Sequence, residues 1–446
     1  MSKKDAVIKV LVEISRVLLG VTFIFSGFVK AVDPFGTAYK ITDYLSAFNL
    51  SSLSFLSLPG SVLLCGLEFA MGACMLFGLY RKWNSRLMLL VMSFMTLLTL
   101  YLAITDPVED CGCFGDFLII SNWQTFYKNI VLLICSIIVF VYPERISNIF
   151  TGKSYWLAFL YIFVFIGLFV FYNYLYDPVF DFRPYKVGAN IAELKNIDEG
   201  KGREEQVVLV YEKDGVEKEF TEENYPWEDS TWTFVRMDSK TIKEGEVSPI
   251  KDFVINKLEL NASRTEIVAQ EDITEAVLSD SNYVFLMVSP LLEDINISYL
   301  SSFEDIEAYA TDNGYRFYCL TSSTTDGIIE WADINTINFD FCTMDERTLK
   351  TIIRSNPGLI LLKDGVVVNK WADIAVPSES ELNKPLAELE FGKMEDTEKE
   401  NKKKLFYICA IFFVPLLTLK VLDFLVYNRR GYEEKPDKEK DESVLE

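Results

Sequence analysis

Six long apolar stretches dominate the pattern along this chain, and polar segments of unequal length separate them. Each stretch is long enough to cross the hydrocarbon core of a bilayer as a helix. The first carries Glu13 and Arg16 and is not followed by a small-residue cleavage pattern, so we expect it to be retained. The pattern predicts an integral membrane protein with about six transmembrane helices, over residues 7–31, 58–80, 87–104, 126–142, 155–174 and 405–427.

Positive charges in the short connections predict the orientation of these helices, because Lys and Arg collect on the cytoplasmic side. The third connection, residues 105–124, contains neither Lys nor Arg. The positive residues that flank the opposite helix ends are Lys3, Lys4, Lys9, Arg81, Lys82, Arg86, Arg145, Lys153, Arg429 and Arg430. We therefore expect a multi-pass protein of the inner (cytoplasmic) membrane, with both termini cytoplasmic and the large region after the fifth helix extracytoplasmic, in the periplasm.

The long outward region divides into two parts by its pattern. Up to residue 279 it shows short alternating runs, residues 206–211 and 232–237 among them, with Asp214-Gly215 as a hairpin turn, which predicts a β-rich unit. Beyond residue 280, strands alternate with short helices, which predicts a parallel core, and the last two strands form a hairpin. The predicted strands cover residues 283–289, 315–322, 338–343, 359–363 and 366–371, and the predicted helices cover residues 299–311, 325–334 and 347–354.

The element order of this second part resembles the thioredoxin-like fold. Pro357, just before the strand of the last hairpin, matches the position of the cis-proline of that family. The resemblance implies the fold and peptide binding. Thioredoxins carry Cys-x-x-Cys after the first strand, whereas this chain has Ser289-Pro290-Leu291-Leu292, which puts disulfide chemistry by this domain in doubt.

The composition excludes several classes of function. Half of the residues are hydrophobic, yet the formal net charge is −22, which fits a chain of lipid-buried and water-exposed segments and argues against nucleic acid as a partner. The chain has no histidine, which excludes bis-His haem ligation, Ser-His-Asp catalysis and most zinc enzyme sites. We predict the lipid bilayer as a partner and assign no metal site.

Two of the eight cysteines, Cys111 and Cys113, lie close together in the outward loop between the third and fourth helices. A Cys-x-Cys disulfide closes a strained ring, and strain favours a transferable bond over a structural one. The surrounding carboxylates would suppress the thiolate, whereas Lys30 and Lys128 would favour it. A redox pair, a structural turn and a metal site of Cys and Asp stay open. The carboxylates are those of Asp106, Glu109, Asp110 and Asp116.

Charged residues inside the apolar stretches are the second candidate for chemistry. Glu68 and Arg16 both belong in the bundle interior and are candidates to pair, either as part of a proton or quinone site or as a structural ion pair. With Lys30 and Lys128 they are our candidates for a cofactor site. Cys319 and Cys342, in strands predicted to be neighbours, are an alternative redox pair, although burial as hydrophobic side chains is the simpler interpretation.

The first four helices resemble the DoxX family, in its MauE-like branch, over residues 9–142. The resemblance depends on the first helix and its exit, with Phe25-Ser26-Gly27, Lys30 and the segment at 33–40, and on Cys-Gly-Cys-Phe-Gly at 111–115. It implies disulfide formation in exported proteins alongside a thioredoxin-like partner, and it links DoxX relatives to quinone-coupled sulfur oxidation. No cofactor is certain, and quinone is the one that the resemblance leaves open.

The sequence therefore predicts an α-helical membrane protein with an extracytoplasmic β-rich plus thioredoxin-like α/β region. Our leading hypothesis for function is membrane-bound thiol–disulfide exchange through Cys111 and Cys113, with exported or membrane thiol proteins as partners. The alternative is a non-enzymatic accessory subunit whose thioredoxin-like domain docks partner proteins. The predicted domains are a four-helix unit (1–150), a fifth helix (151–176), a β-rich region (177–279), a thioredoxin-like domain (280–392), a linker (393–404), a sixth helix (405–428) and a disordered cytoplasmic tail (429–446).

Overall fold

The computed structural model describes residues 3–108, 110–151, 154–195, 204–213, 216–221, 231–243, 250, 253–261, 265–394 and 396–433. The chain forms two compact units, a helical unit made of Met1–Phe182 with Asp396–Glu446 and an α/β unit made of Arg183–Glu395. The predicted Asp214-Gly215 turn and most of the predicted disordered tail lie outside the described residues.

The helices, numbered along the chain, belong to both units. Each predicted span is helical except for residues 78–80 and 142, which follow the ends of α3 and α5, and the last helix begins inside the predicted linker. The helices are α1 (Lys3–Val32), α2 (Pro34–Ala47), α3 (Ser57–Phe77), α4 (Arg81–Thr105), α5 (Asn122–Val141), α6 (Tyr155–Leu175), α7 (Ile191–Lys195), α8 (Thr274–Leu278), α9 (Leu300–Asp312), α10 (Thr325–Asn335), α11 (Glu346–Ile352) and α12 (Thr397–Glu433).

Five helices in the described part of the chain are long and apolar enough to cross a membrane. They give a multi-pass membrane protein, because nothing but a lipid environment suits so many long apolar helices. The charged helix α1 is not among the five, although it covers the first predicted span. The five are Ser51–Phe77, Arg81–Thr105, Asn122–Val141, Tyr155–Leu175 and Thr397–Val426.

Helices α1 and α3 cross in direct backbone contact, and glycine makes this possible. A Cβ atom on Gly27 would lie 2.4 Å from the backbone nitrogen of Phe69, and one on Gly72 would lie 2.5 Å from that of Ile24. Small residues permit this close approach inside a membrane, where dispersion contacts between helices replace the hydrophobic effect. The crossing fixes which side chains of α1 and α3 face each other.

The segment after the first helix, quoted for the family resemblance, begins a new helix at once. Asp33 caps α2, since its carboxylate accepts a hydrogen bond from the Gly36 nitrogen at 2.9 Å, and Pro34 occupies the first turn. Helix α2 therefore starts directly at the end of α1. Lys40 and Tyr44, one helical turn apart, come from this helix.

Helix α12 is attached to the rest of the helical unit by polar contacts as well as packing. Asp423 accepts hydrogen bonds from Thr151 Oγ1 at 2.5 Å and from Ser154 Oγ at 2.6 Å. The Tyr161 hydroxyl on α6 donates to the backbone carbonyl of Ile411. Aromatic side chains of α3, α6 and α12 fill the space between these helices.

The α/β unit contains two sheets. The first is three-stranded, in the order β2-β1-β3, and the second is seven-stranded, in the order β10-β9-β6-β7-β8-β4-β5. Strands β6, β7 and β8 are parallel, and the β9–β10 hairpin is antiparallel, as predicted. The strands are β1 (Glu204–Lys213), β2 (Val216–Thr221), β3 (Thr233–Lys243), β4 (Asn256–Leu260), β5 (Ile267–Asp272), β6 (Tyr283–Ser289), β7 (Arg316–Thr321), β8 (Phe341–Thr343), β9 (Gly358–Lys363) and β10 (Val366–Ala372).

Hydrophobic residues cover both faces of the seven-stranded sheet. Strand β6 is buried along its whole length, as its unbroken apolar sequence predicts. One face packs against α9 and α10 through Phe303 and Ile328, and the other packs against α8 and α11 through Val277 and Leu349. Strands β4 and β5 precede residue 280, the predicted start of this domain, yet they extend the same sheet from β8.

Cys319 and Cys342 lie on neighbouring strands but on opposite faces of the sheet. Cys319 is opposite Phe341, and Leu320 is opposite Cys342, so the two cysteines are out of register by one residue. Because side chains alternate between faces along a strand, each cysteine belongs to a different hydrophobic core. They do not form the alternative redox pair.

Candidate functional site

The loop between α4 and α5 is held in a defined conformation at both ends. Asn122, the first residue of α5, donates a hydrogen bond to Asp106 Oδ1 at 2.8 Å and to the Val108 carbonyl at 2.9 Å. Gly112 has a φ of 64°, in the left-handed region that costs glycine little. A Cβ atom on Gly112 would also approach the Lys40 side chain to 3.2 Å. Glycine at the middle position therefore gives the Cys-Gly-Cys turn its shape.

The Cys111 and Cys113 sulfurs meet across this turn. Their Sγ atoms are 3.1 Å apart, both thiols are free, and both residues are partly exposed. Only a short movement separates this distance from that of a disulfide bond. The turn therefore brings the two sulfurs near enough for a disulfide bond to be geometrically feasible.

Helix α2 anchors the amino-terminal side of the turn. The Tyr44 hydroxyl donates to the Cys111 carbonyl at 2.9 Å. The Lys40 ammonium lies 2.7 Å from Asp110 Oδ2, while Asp110 Oδ1 accepts from the Gly112 nitrogen at 2.7 Å. Because Lys40 balances its charge, Asp110 does not oppose a thiolate in the way that the sequence predicts. Glu109 lies outside the described residues.

A buried ion pair anchors the other side. Lys30 Nζ lies 2.7 Å from both carboxylate oxygens of Glu68, and the two side chains are 6% and 9% exposed. Ser26 Oγ lies 2.7 Å from Glu68 Oε2 and 2.7 Å from the Cys113 carbonyl oxygen, so its single hydroxyl hydrogen can be donated to either acceptor. The charges of α1 and α3 are thus joined to the backbone of the cysteine turn.

The predicted pairing of Arg16 with Glu68 is wrong. Arg16 pairs with Glu13 at 3.0 Å and donates to the Ser147 carbonyl at 2.7 Å. At 1.5 Å per residue, Arg16 and Lys30 lie about 21 Å apart along α1, so only one of them can reach Glu68. Arg16 takes no part in the site.

Lys128 is the third ammonium group of the site, and it faces the cysteine pair without a carboxylate of its own. Its Nζ lies 4.3 Å from the centre of the Phe114 ring. Within the described ranges, no carboxylate lies within ion-pair distance of Lys128. The charge of Lys128 favours the thiolate form of Cys113.

The surrounding groups shift the pKa values of the two thiols in opposite directions. The hydrogen bond from the Cys111 thiol lowers the pKa of Cys113 to about 6, against the opposing effect of burial, and Lys128 and Lys30 lower it further. That same hydrogen bond, together with burial, raises the pKa of Cys111 above its ordinary value. Burial also raises the pKa of Tyr44, which stays a hydrogen-bond donor. At neutral pH the reduced pair therefore holds one thiolate, on Cys113, and one thiol, on Cys111.

A cavity of about 180 Å³ adjoins the pair inside the helical unit. Lys30, Lys128, Glu68 and both cysteines line one part of it. Much of the remaining wall is apolar, and its apolar side chains on α1, α4 and α5 are Phe23, Val91, Met92, Met95, Leu98 and Leu132. The cavity can hold a small apolar molecule next to the thiolate, with ammonium groups beside it.

The structure brings together five of the six residues singled out from the sequence and leaves out Arg16. Sequence reasoning missed Ser26, Lys40 and Tyr44. Ser26 stands in the quoted Phe-Ser-Gly motif, and Lys40 and Tyr44 have the spacing of one helical face. Within the described ranges, no group of three or more Cys, Asp or Glu side chains is arranged to hold a metal ion.

Part of the helical unit matches a known family model. Residues 8–142 match the family model described as methylamine utilisation protein MauE. This segment is MauE-like. The match covers less than half of the chain, and it includes α1 from residue 8 onward, α2 to α5 and every residue of the site. The MauE-like segment is therefore a membrane segment that contains the cysteine pair, its three lysines and Glu68.

Other comparisons are less informative. Residues 206–244 match the model of a domain of unknown function, DUF8463. One solved structure that matches is the mitochondrial 2-Cys peroxiredoxin from Plasmodium falciparum, with 15% sequence identity. The match covers 37% of this chain and 92% of that one, with a TM-score of 0.20. No curated protein matches the sequence.

Proposed function

We propose that this protein is a membrane-bound thiol–disulfide exchange protein that uses Cys111 and Cys113 to mature exported proteins. The observation that carries the proposal is the position of the Cys113 sulfur, 3.1 Å from Cys111 and facing Lys128. The thiolate is the reactive form of cysteine, and a neighbouring ammonium group favours it. The fit of residues 8–142 to the MauE family supports the assignment.

The two cysteines have different roles in this proposal. A thiolate of the exported protein attacks the Cys111 sulfur of the oxidised pair, and Cys113 leaves as the thiolate, because the thiol of lower pKa is the better leaving group. A second thiolate of the exported protein attacks its own sulfur in the mixed disulfide. That step releases Cys111, which takes up a proton. The exported protein gains one disulfide, and the pair becomes reduced.

A quinone is the acceptor that we propose for reoxidation of the pair. It takes up two electrons and two protons and becomes a hydroquinone, while the Cys111–Cys113 bond forms again. The apolar wall of the cavity suits a lipid-soluble ring, and the ammonium groups of Lys30 and Lys128 suit its oxygens. In this proposal the pair and the α/β unit face the periplasm.

The redox state of the pair in growing cells tests the function. Cells are quenched with acid, and free thiols are alkylated before the peptide that contains Cys111 and Cys113 is identified by mass. We expect a mixture of reduced and oxidised wild-type protein, and neither the internal disulfide nor mixed disulfides in Cys113→Ser, because the disulfide that the substrate thiolate attacks cannot form. Cys409→Ser, which removes an exposed cysteine of α12, is the matched control and should behave like the wild type. A pair that stays fully reduced under all conditions contradicts the proposal.

One observation favours the alternative, a docking role for the α/β unit. At the position where thioredoxins carry a dithiol, Ser289 Oγ donates to Asn356 Oδ1 at 2.7 Å, and Asn356 Nδ2 donates to the Leu291 carbonyl at 3.0 Å. These groups hold the turn closed and offer no redox chemistry. Normal function of a Cys111→Ser, Cys113→Ser double variant would favour docking over exchange.

A further inference from the structure

Asn129 is a buried polar residue on the apolar side of the cavity. It lies on α5, is 4% exposed, and lines the cavity together with apolar side chains of α4 and α5. A buried amide needs partners for its nitrogen and for its oxygen, because leaving either atom without one costs free energy. The contacts of the two amide atoms therefore indicate what this position can bind. The apolar neighbours are Val91, Met92, Met95, Leu98 and Leu132.

Helix α4 fixes the direction in which the Asn129 amide points. The Thr99 hydroxyl donates its hydrogen to the Met95 carbonyl at 2.8 Å, so it can only accept a hydrogen bond from Asn129. Asn129 Nδ2 donates to Thr99 Oγ1 at 3.2 Å and to the Met95 carbonyl at 3.5 Å. Within the described ranges, both side-chain hydrogen bonds of Asn129 thus come from the nitrogen. The nitrogen faces α4, and Oδ1 is the amide atom available to a molecule in the cavity.

The cavity has the size and the polar groups to bind one small ring that carries oxygens. An apolar cavity of about 150 Å³ is large enough for benzene, and this cavity has about 180 Å³. Lys30 and Lys128, on the same cavity, are hydrogen-bond donors, which suit the oxygens of a quinone and of a hydroquinone alike. Asn129 Oδ1 is an acceptor. It suits only the hydroquinone, because a quinone oxygen has no hydrogen to donate.

Resting on the proposed function, we infer that Asn129 is a specificity-determining residue of the quinone site and makes this site prefer the hydroquinone. Its Oδ1 accepts a hydrogen bond from a hydroxyl group of the reduced ring, whereas a carbonyl oxygen of the oxidised ring leaves it without a donor. One such hydrogen bond corresponds to about tenfold in affinity. A tenfold preference shifts the two-electron equilibrium between the cysteine pair and the ring by about 30 mV, toward the oxidised pair.

The affinities of the two ring forms test this inference. Purified full-length protein in detergent micelles carries Cys111→Ser, Cys113→Ser and Cys409→Ser, so that these thiols, the exposed or partly exposed ones, neither reduce the quinone nor add to it. The probes are dimethyl-para-benzoquinone and its hydroquinone, and isothermal titration calorimetry without oxygen gives both dissociation constants. We expect the hydroquinone to bind about tenfold more tightly than the quinone.

Three variants of this protein separate recognition from structure. Asn129→Leu removes the acceptor, so we expect hydroquinone binding to weaken about tenfold and quinone binding to change less than about threefold. Thr99→Val no longer fixes the amide and should reduce the preference although Asn129 remains. The matched control is Asn84→Leu, at a buried asparagine of α4 that donates to the Met71 carbonyl at 3.0 Å and is outside the cavity lining. This control should keep the full preference.

Several results would overturn the inference. Equal affinities for the two ring forms, measured with Asn129 present, overturn it even where Asn129→Leu does not fold. A preference that survives in Asn129→Leu also overturns it, and so does an equal loss of affinity for both forms, which indicates a structural role only. If neither form binds, the quinone fails as the acceptor together with the inference. The exchange function is judged separately, by the redox state of Cys111 and Cys113 in cells.

Discussion

Lys30 on α1 and Glu68 on α3 form an ion pair inside the helical unit, with the ammonium nitrogen 2.7 Å from both carboxylate oxygens. Gly27 and Gly72 bring the same two helices into backbone contact. The position of the ion pair beside Ser26 and the Cys113 carbonyl gives it a second role. The pair supports the turn that carries the cysteines.

Breaking this pair should destabilise the protein more than removing it. Lys30→Met leaves the Glu68 carboxylate buried without a counter-charge, and we expect a loss of about 3–5 kcal/mol in the free energy of unfolding. Glu68→Gln in the same chain should recover most of this loss. Unfolding of the purified protein in mixed micelles, followed by circular dichroism, measures both. Lys82→Met, at the exposed pair with Glu144, is the matched control and should change little. Equal losses in the single and double variants would contradict this prediction.

The reactivity of Cys113 should depend on the thiol of Cys111. In the reduced protein we expect alkylation of Cys113 to rise through a pH of about 6, while Cys111 stays unreactive at neutral pH. Cys111→Ala removes the hydrogen bond that contributes most to the low pKa. Alkylation of Cys113 at pH 7 should then slow by about tenfold, because the thiolate fraction falls. An unchanged pH profile, followed by peptide mass, would show that Cys111 does not control the acidity of Cys113.

The free energy of unfolding of the reduced protein should depend on pH through the same two thiols, and the two thiols act with opposite signs. The pKa of Cys113 is lower in the folded protein than the ordinary 9.0, so the unfolded chain binds more protons between about pH 6 and pH 9, and stability rises with pH. The pKa of Cys111 is raised, so above 9.0 the folded protein binds more protons, and stability falls. Unfolding measured across this range should show a maximum near pH 9 that disappears in Cys111→Ala, Cys113→Ala.

Much of the site could be predicted from the sequence, because the predicted spans indicate which residues lie near the membrane surface and which lie inside the membrane. The loop without positive charge contains Cys111 and Cys113, and Lys30 near the end of the first helix and Lys128 near the start of the helix after the loop were expected on the same side. The partner of Glu68 could not be predicted in the same way. The partner depends on the point along the two helix axes at which α1 and α3 cross. The close approach of Gly27 to Phe69 fixes that point.

In the α/β unit, local patterns predicted the strands and helices well. The pairing of strands that are distant in sequence could not be predicted from them. The run at 283–289 is a strand over the residues predicted. Strand β8 is short and pairs with β4, more than eighty residues earlier, so Asn256 lies opposite Thr343. Hydrophobic periodicity describes one segment at a time and contains no information on such a partner. The register between β7 and β8, which separates Cys319 from Cys342, is hidden for the same reason.

The crossing of α1 and α3 should tolerate no side chain at Gly27. Ala at this position would place its Cβ 2.4 Å from the Phe69 nitrogen, so the helices must separate, and we expect a loss of about 1–3 kcal/mol in stability. The shift also moves Lys30 and Ser26 away from the cysteine turn, so alkylation of Cys113 at pH 7 should slow. Gly66→Ala, on α3 with no atom within 4 Å of the added Cβ, is the control and should leave both measurements unchanged. Normal stability of Gly27→Ala would mean that the helices do not touch here.

Helix α12 contains Pro415, and Tyr161 compensates for the hydrogen bond that this proline removes. Proline has no N–H, so the carbonyl four residues earlier, that of Ile411, has no partner within the helix. The Tyr161 hydroxyl donates to this carbonyl from α6. Tyr161→Phe should therefore lower stability by about 0.6–2 kcal/mol, the range measured for hydrogen bonds between membrane helices.

Pro415→Ala provides the decisive comparison for Tyr161. With alanine at position 415, an N–H reaches the Ile411 carbonyl, and the helix satisfies its own acceptor. Tyr161→Phe should then cost little in the Pro415→Ala background, and a double-mutant cycle on the free energy of unfolding gives the coupling directly. If Tyr161→Phe costs the same in both backgrounds, its hydroxyl does not act through the carbonyl that Pro415 leaves open. Tyr161 would then stabilise α12 only by the packing of its ring, which phenylalanine preserves.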